Sequence, residues 1–156
     1  MKQTSSHAQV AKLVRQQLKS WGIVGKVNSK SYSMGSSVNV YVNDLTPEIA
    51  KMVGDYLVQF EYGSFNGMED YYKMSNVRDD IPQVKYAFLN NNMSDEMAQT
   101  IWDFARLHFV GMEFAPANYF DAHSFYNDNF HCYGGNLVWK LFTGNYEAFW
   151  DQKKAA

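Results

Sequence analysis

Apolar residues recur at helical spacing near the start of the chain. Val10, Leu13, Val14, Leu18 and Trp21 share one stripe, and Lys12, Arg15 and Lys19 project from the opposite side. Ser6-His7-Ala8-Gln9 has the form of a capping box, with Ser6 as N-cap and Gln9 reaching back to it, and Gly22 stops the helix. The period then changes from helical to alternating. Residues 26–33 and 37–42 read as the strands of a hairpin around Met34-Gly35-Ser36, the second alternating at Val38, Val40 and Val42.

Thr46-Pro47 supplies an N-cap followed by proline at the first helical position, where its missing N–H costs nothing. The helix that follows carries Ile49, Met52, Val53, Tyr56, Leu57 and Phe60 toward a core. Residues 68–76 and 84–89 predict a second hairpin joined through residues 78–82, with Asn90-Asn91-Asn92 ending it. Ser94 caps a third helix whose first turn holds Asp95 and Glu96 at the positive end of the dipole. Its stripe is Met97, Ile101, Phe104, Ala105 and His108. Trp102 and Phe109 lie on a flank and need cover from the aromatic C-terminal region. Short helices at 121–126 and 136–142, a C-cap at Gly144 and a frayed tail at 153–156 complete the reading.

The order α-β-β-α-β-β-α followed by short helices predicts an α+β fold: an antiparallel four-stranded sheet with helices packed on it. A length of 156 residues fits one domain over residues 1–156. The two helix-plus-hairpin units are alike in architecture but show no residue-level repeat.

Composition adds a globular core: 46% of the chain is apolar and 19% charged. Of the 26 aromatic residues, 12 fall between Phe114 and Trp150, marking that segment as core or contact surface. Cys132 is the single cysteine, so no intramolecular disulfide is available. The first residues lack the apolar run of a signal peptide, and no stretch approaches the roughly 20 apolar residues that span a bilayer. The expectation is a cytoplasmic protein with no membrane contact.

The net charge of −2 conceals a strong asymmetry. Residues 1–43 carry six basic groups and no carboxylate. The rest of the chain carries eight basic groups and all 16 acidic ones.

The helix motif Val10-Ala11-Lys12-Leu13-Val14-Arg15, the Ser-rich hairpin from Lys30 to Val40 and the loop Gly63-Ser64-Phe65-Asn66-Gly67-Met68-Glu69-Asp70 resemble the type 29 large polyvalent protein-associated domain over roughly residues 7–90. Tyr41 and Val42 stand where that family's hairpin bears a tryptophan. The resemblance implies phage and conjugative-element biology in a bacterial host, in which such domains accompany proteins that protect incoming DNA. It implies no catalytic residues. Residues 93–156 read as a helical, aromatic-rich extension of the family-like part.

Candidate chemistry is sparse. Cys132 beside His131, with His123 and with Asp121 or Asp128, contains the residue types of a nucleophilic site. Adjacent extended residues point to opposite faces, however, so His131 is poorly placed to activate the thiol. His123, His131, Cys132 and Glu113 lack any recognised metal-ligand spacing, and His108 reads as a core histidine. Glu69 with Asp70, and Asp79 with Asp80, are paired carboxylates in loops, where solvation is the ordinary state. Gly63 to Gly67 is not followed by the Lys-Ser/Thr that a phosphate-binding loop requires. No cofactor is expected.

Binding has better support than catalysis. Lys12, Arg15, Lys19, Lys26 and Lys30, with Tyr32, form one candidate surface for phosphates. The acidic remainder, with Phe65, Glu69, Asp70, Asp79 and Asp80, forms another that suits a basic protein groove. The leading expectation is a phage or plasmid accessory protein that binds and blocks a host defence protein or nucleoprotein complex, such as a CRISPR or restriction nuclease. The alternative is a small DNA- or RNA-binding module using the basic helix and hairpin.

Overall fold

The first helix, α1, runs Ser6–Ser20 and buries Val10, Ala11, Val14 and Leu18. Its cap is Ser5, one residue earlier than the capping-box pattern places it. Ser5 makes no side-chain capping bond, and its carbonyl accepts from the Gln9 N–H at 3.0 Å. The stop is as expected. Gly22 sits at φ +72°, its N–H donates to the Lys19 carbonyl, and the Ile23 N–H donates to the Leu18 carbonyl at 2.9 Å. These two bonds form a Schellman closure that glycine makes without steric cost.

The computed structural model describes residues 5–128, 131–144, 149 and 150, and the chain divides into two units, Met1–Asn92 and Met93–Ala156. In the first unit, β1 (Gly25–Tyr32) and β2 (Gly35–Asn43) form the expected antiparallel hairpin, with Val27 opposite Val40 and Ser29 opposite Val38. Helix α2 (Pro47–Val58) follows, with the Thr46 hydroxyl accepting from the Ile49 N–H at 3.3 Å.

The second hairpin does not form as the pattern predicts. Of residues 68–76, expected as one strand, only Tyr71–Lys73 is strand, because the segment begins in a tight turn: the Asn66 side-chain oxygen accepts from the Met68 N–H at 3.0 Å, and Asp70 adopts φ +47°. The result is a separate short ribbon of β3 (Ser64–Asn66) and β4 (Tyr71–Lys73). An isolated parallel bridge between Glu61 and Val84 follows, and side-chain amides reinforce it. Gln83 donates to the Gln59 and Asn76 carbonyls, both at 2.9 Å, and Asn76 donates to the Glu61 carbonyl at 3.0 Å.

Strand β5 (Tyr86–Asn92) pairs parallel with β2, in register from Ser37 opposite Tyr86 to Asn43 opposite Asn92. The sheet is therefore three-stranded and mixed, ordered β1-β2-β5, and not a four-stranded antiparallel one. The direction follows from the connection, because a parallel return needs a crossover and α2 provides it. The asparagine run that reads as a terminator is instead paired. The Asn91 side chain bonds both the N–H and the carbonyl of Leu45 at 3.0 Å, and the Asp44 N–H donates to the Asn92 carbonyl at 2.8 Å.

Both helices cover one face of this sheet. Val10, Val14 and Leu18 of α1 and Val53 and Leu57 of α2 join Val27, Val38, Val40, Val42, Phe60 and Val84 in one core. Fully burying a valine or leucine is worth about 1.5–3 kcal/mol, so this cluster accounts for most of what holds the layers together.

The second unit is built on α3 (Asp95–His108), capped by Ser94, whose hydroxyl accepts from the Met97 N–H at 3.1 Å. Trp102 is fully buried and its indole N–H donates to the Pro116 carbonyl at 2.7 Å, so the aromatic segment does cover that flank. The buried side runs through Ala98, Ile101, Trp102 and Ala105, which leaves His108 exposed against the Phe104 ring and not in the core. Helix α4 spans Tyr119–Ala122, earlier than the 121–126 expected, because the Asn118 side chain caps it. A two-residue bridge of β6 (Tyr126–Asn127) and β7 (Cys132–Tyr133) leads into α5 (Gly134–Phe142), which Gly144 closes at φ +84°. The tail at 153–156 lies outside the described residues.

Candidate functional site

Strand alternation sends to the far side of the first unit's sheet every residue that does not face the helices. Lys26, Asn28, Lys30 and Tyr32 of β1 lie level with Tyr41, Asn39, Ser37 and Gly35 of β2. Those of β2 lie level with Asn90, Phe88 and Tyr86 of β5 in turn. Three rows result: Lys26-Tyr41-Asn90, Asn28-Asn39-Phe88 and Lys30-Ser37-Tyr86. Each row carries a polar residue on β1 and an aromatic ring on β2 or β5. None of the three strands contains Asp or Glu.

The aromatic side of this face is ordered by ring contacts. Phe88 stacks on Tyr86 with centroids 5.5 Å apart and planes 14° from parallel. Tyr86 meets Tyr72 edge-on at 5.7 Å, and Tyr72 meets Tyr62 at 5.9 Å. The Lys85 ammonium lies over the rings of Tyr72 and Tyr86, at 4.9 and 5.7 Å, and donates to the Met34 carbonyl at 3.3 Å. At the free end of the row Phe88 is 47% exposed, and Tyr41, diagonal to it across β2, is 39% exposed.

Burial, with the neighbouring Tyr62, Glu61 and Tyr86, pushes the Tyr72 phenol up to about 12, so it stays neutral at physiological pH. Glu61 is a carboxylate that acts on this row through Tyr72. Burial raises its pKa, opposed in part by a hydrogen bond from the Ala87 backbone.

The cations singled out from the sequence divide between two surfaces. Lys26 and Lys30 are exposed on the open sheet face with Tyr32. Lys12 and Lys19 are exposed on α1, in the layer that covers the opposite face. Arg15 is engaged elsewhere: its guanidinium donates to the Val27 carbonyl at 2.7 Å. Phe65, Glu69 and Asp70 lie exposed on the β3–β4 ribbon, and Asp79 is exposed in the segment that follows. Asp80 is bound by Arg78, which holds its carboxyl below the usual range. Sequence reading passed over Tyr41, Phe88, Tyr86 and the asparagines between them. The signal was present in the polar parity of 39 and 41 against the buried valines, and in the alternation Tyr86-Ala87-Phe88-Leu89.

Cys132 is buried in the second unit's core, whereas His131 is exposed at φ +51°. The imidazole and the thiol therefore occupy different environments. Among the described residues no group of three or more His, Cys, Asp and Glu side chains is placed to hold a metal ion. No helix among them is long and apolar enough to cross a membrane.

Residues 5–96 match the family model for large polyvalent protein associated domain 29, and the chain belongs to that family. Domains of this family occur in polyvalent proteins of phages and other mobile elements. The match runs from α1 through β5 into the first residues of α3, so it includes the whole open sheet face. No curated protein and no solved structure matches the chain.

Proposed function

We propose that the chain is a binding module of mobile-element biology that acts without chemistry, and that its contact with nucleic acid is made through the open face of the first unit's sheet. One observation carries this reading: Lys26 and Lys30 line one side of a face whose other side presents Tyr41, Tyr86 and Phe88, and its three strands hold no carboxylate. Lysines neutralise phosphates and release condensed counterions, while aromatic rings and amides meet bases. The basic element of the site is thus the hairpin's outer face and not the α1 surface. The test is an anisotropy titration of labelled DNA and RNA across a salt series with the Lys26→Glu, Lys30→Glu double variant. The reading expects a salt-dependent affinity in the wild type and a weaker affinity with a shallower salt dependence in the variant. A wild-type chain that binds no nucleic acid at low salt overturns it.

The β3–β4 ribbon supports a second reading, of a counter-defence inhibitor. Phe65, Met68 and Tyr71 are exposed there beside Glu69 and Asp70, Met68 almost completely. Acidic groups interleaved with apolar side chains suit the basic substrate groove of a CRISPR or restriction nuclease. This reading expects a purified nuclease to be inhibited by the wild type and not by a Phe65→Ala, Tyr71→Ala variant. The same variant leaves nucleic-acid binding unchanged.

A further inference from the structure

We infer that the open sheet face takes single-stranded nucleic acid, with successive bases stacked on Phe88 and Tyr41 and the phosphates held along β1 by Lys26 and Lys30. The inference rests on the nucleic-acid reading above and specifies its ligand.

On β2 and β5 the free ring surface of this face lies on two side chains, and Tyr32, also exposed, stands apart at the end of β1. Tyr62, Tyr72 and Tyr86 are consumed in edge contacts with one another, and Tyr86 also covers one side of Phe88. Phe88 ends the row and keeps a free side, and Tyr41 stands one row further along. A base laid on Phe88 extends the existing stack by one ring, the sequence-tolerant contact that single-strand binders use.

The spacing of these two rings selects a single strand. Diagonal neighbours on adjacent strands stand about 7–8 Å apart. Bases in a duplex rise about 3.4 Å per step, with both faces already covered by their neighbours. Two bases resting on Phe88 and Tyr41 must therefore be unstacked from each other. An extended single strand allows this, and a duplex does not.

Polar groups are sorted to match. Asn39 lies beside Phe88 and Asn90 beside Tyr41, so each platform has a neutral amide within the same row. The Asn90 amide nitrogen also donates to the Val40 carbonyl at 3.3 Å, and the Asn90 side-chain oxygen is the group that meets a base edge. The charges are set apart on β1, with Asn28 between Lys26 and Lys30. A backbone running along β1 with bases turned across β2 toward β5 satisfies both sets at once.

The experiment uses the full chain with labelled oligothymidylate, oligouridylate and a mixed-sequence duplex at fixed salt. Phe88→Ala is expected to weaken both single strands about tenfold or more while changing duplex binding little. Phe88→Tyr, which retains a ring, is expected to recover most of that loss, and melting curves confirm that both variants fold. A preference for the uridylate or the thymidylate names the source of the strand, and either is consistent with the inference. If Phe88→Ala binds single strands as wild type does while Lys26→Glu, Lys30→Glu abolishes binding, stacking is wrong and the nucleic-acid reading stands. If the duplex binds as tightly as the single strands and Phe88→Ala is silent on all three, the inference fails in the same way. If wild type binds none of the three, both readings fail together.

Discussion

The guanidinium of Arg15 donates to the backbone carbonyl of Val27 at 2.7 Å, joining α1 to β1. Strand β1 lies at the edge of its sheet, where unpaired carbonyls invite pairing with other chains. Arg15 is thus a fastening of that edge. Arg15→Ala is expected to cost about 1 kcal/mol in urea denaturation, the usual net contribution of one intramolecular hydrogen bond. Lys12→Ala and Lys19→Ala are expected to cost almost nothing. Equal midpoints for all three variants would remove the structural role.

Charge reversal separates the two basic surfaces. Lys26→Glu with Lys30→Glu is expected to reduce the slope of log affinity against log salt by about 0.7 for each single-strand phosphate that is no longer neutralised. Lys12→Glu with Lys19→Glu lies on the helix layer and is expected to leave that slope nearly unchanged. The opposite pattern would move the binding surface to α1.

Glu61 makes the first unit sensitive to pH. Burial raises its carboxyl above the ordinary 4.5, so the folded chain holds this proton more tightly than the unfolded one. The stability it contributes is complete below pH 4.5 and is lost as pH rises through the raised folded value. Glu61→Gln keeps an acceptor for the Ala87 backbone and removes the titration. Its Tm is expected to exceed that of wild type at neutral pH, with the difference vanishing in acid. Parallel Tm curves for the two proteins would contradict the assignment.

In the second unit, Gly134 leaves no room for a side chain. A Cβ there would overlap the Ala122 carbonyl and come within 3.3 Å of the Trp102 ring. Gly134→Ala is expected to destabilise this unit by about 1–3 kcal/mol, the usual cost of overpacking. Near-ultraviolet circular dichroism should report it through the buried indole of Trp102. An unchanged spectrum and melting curve would show that the backbone yields freely.

What was legible in the sequence was local. The α1 stripe, the Gly22 stop, the valine alternation of β2 and the Thr46 and Ser94 caps each depend on residues within a few positions of one another. The parallel pairing of β5 was not legible, because Tyr86-Ala87-Phe88-Leu89 alternates identically whichever way the strand runs. The asparagine run misled for a related reason: amides that favour turns when free also substitute for backbone partners, as Asn91 does at Leu45. The same limit governed the site. Lys26, Lys30 and Tyr32 were visible as a basic hairpin, but Phe88 joins them only once β5 is known to lie level with β2.

The β2–β5 pairing also sets an order of events during synthesis. Its partners are separated by α2 and the β3–β4 ribbon, so loop closure must precede any reward from the pairing, and such pairings form slowly. Until Asn92 has emerged from the ribosome, β2 is an edge strand whose backbone from Ser37 to Asn43 lacks its partner on one side. A nascent chain therefore carries an adhesive strand edge from the emergence of β2 until β5 follows it, and that interval is when it most needs chaperone protection.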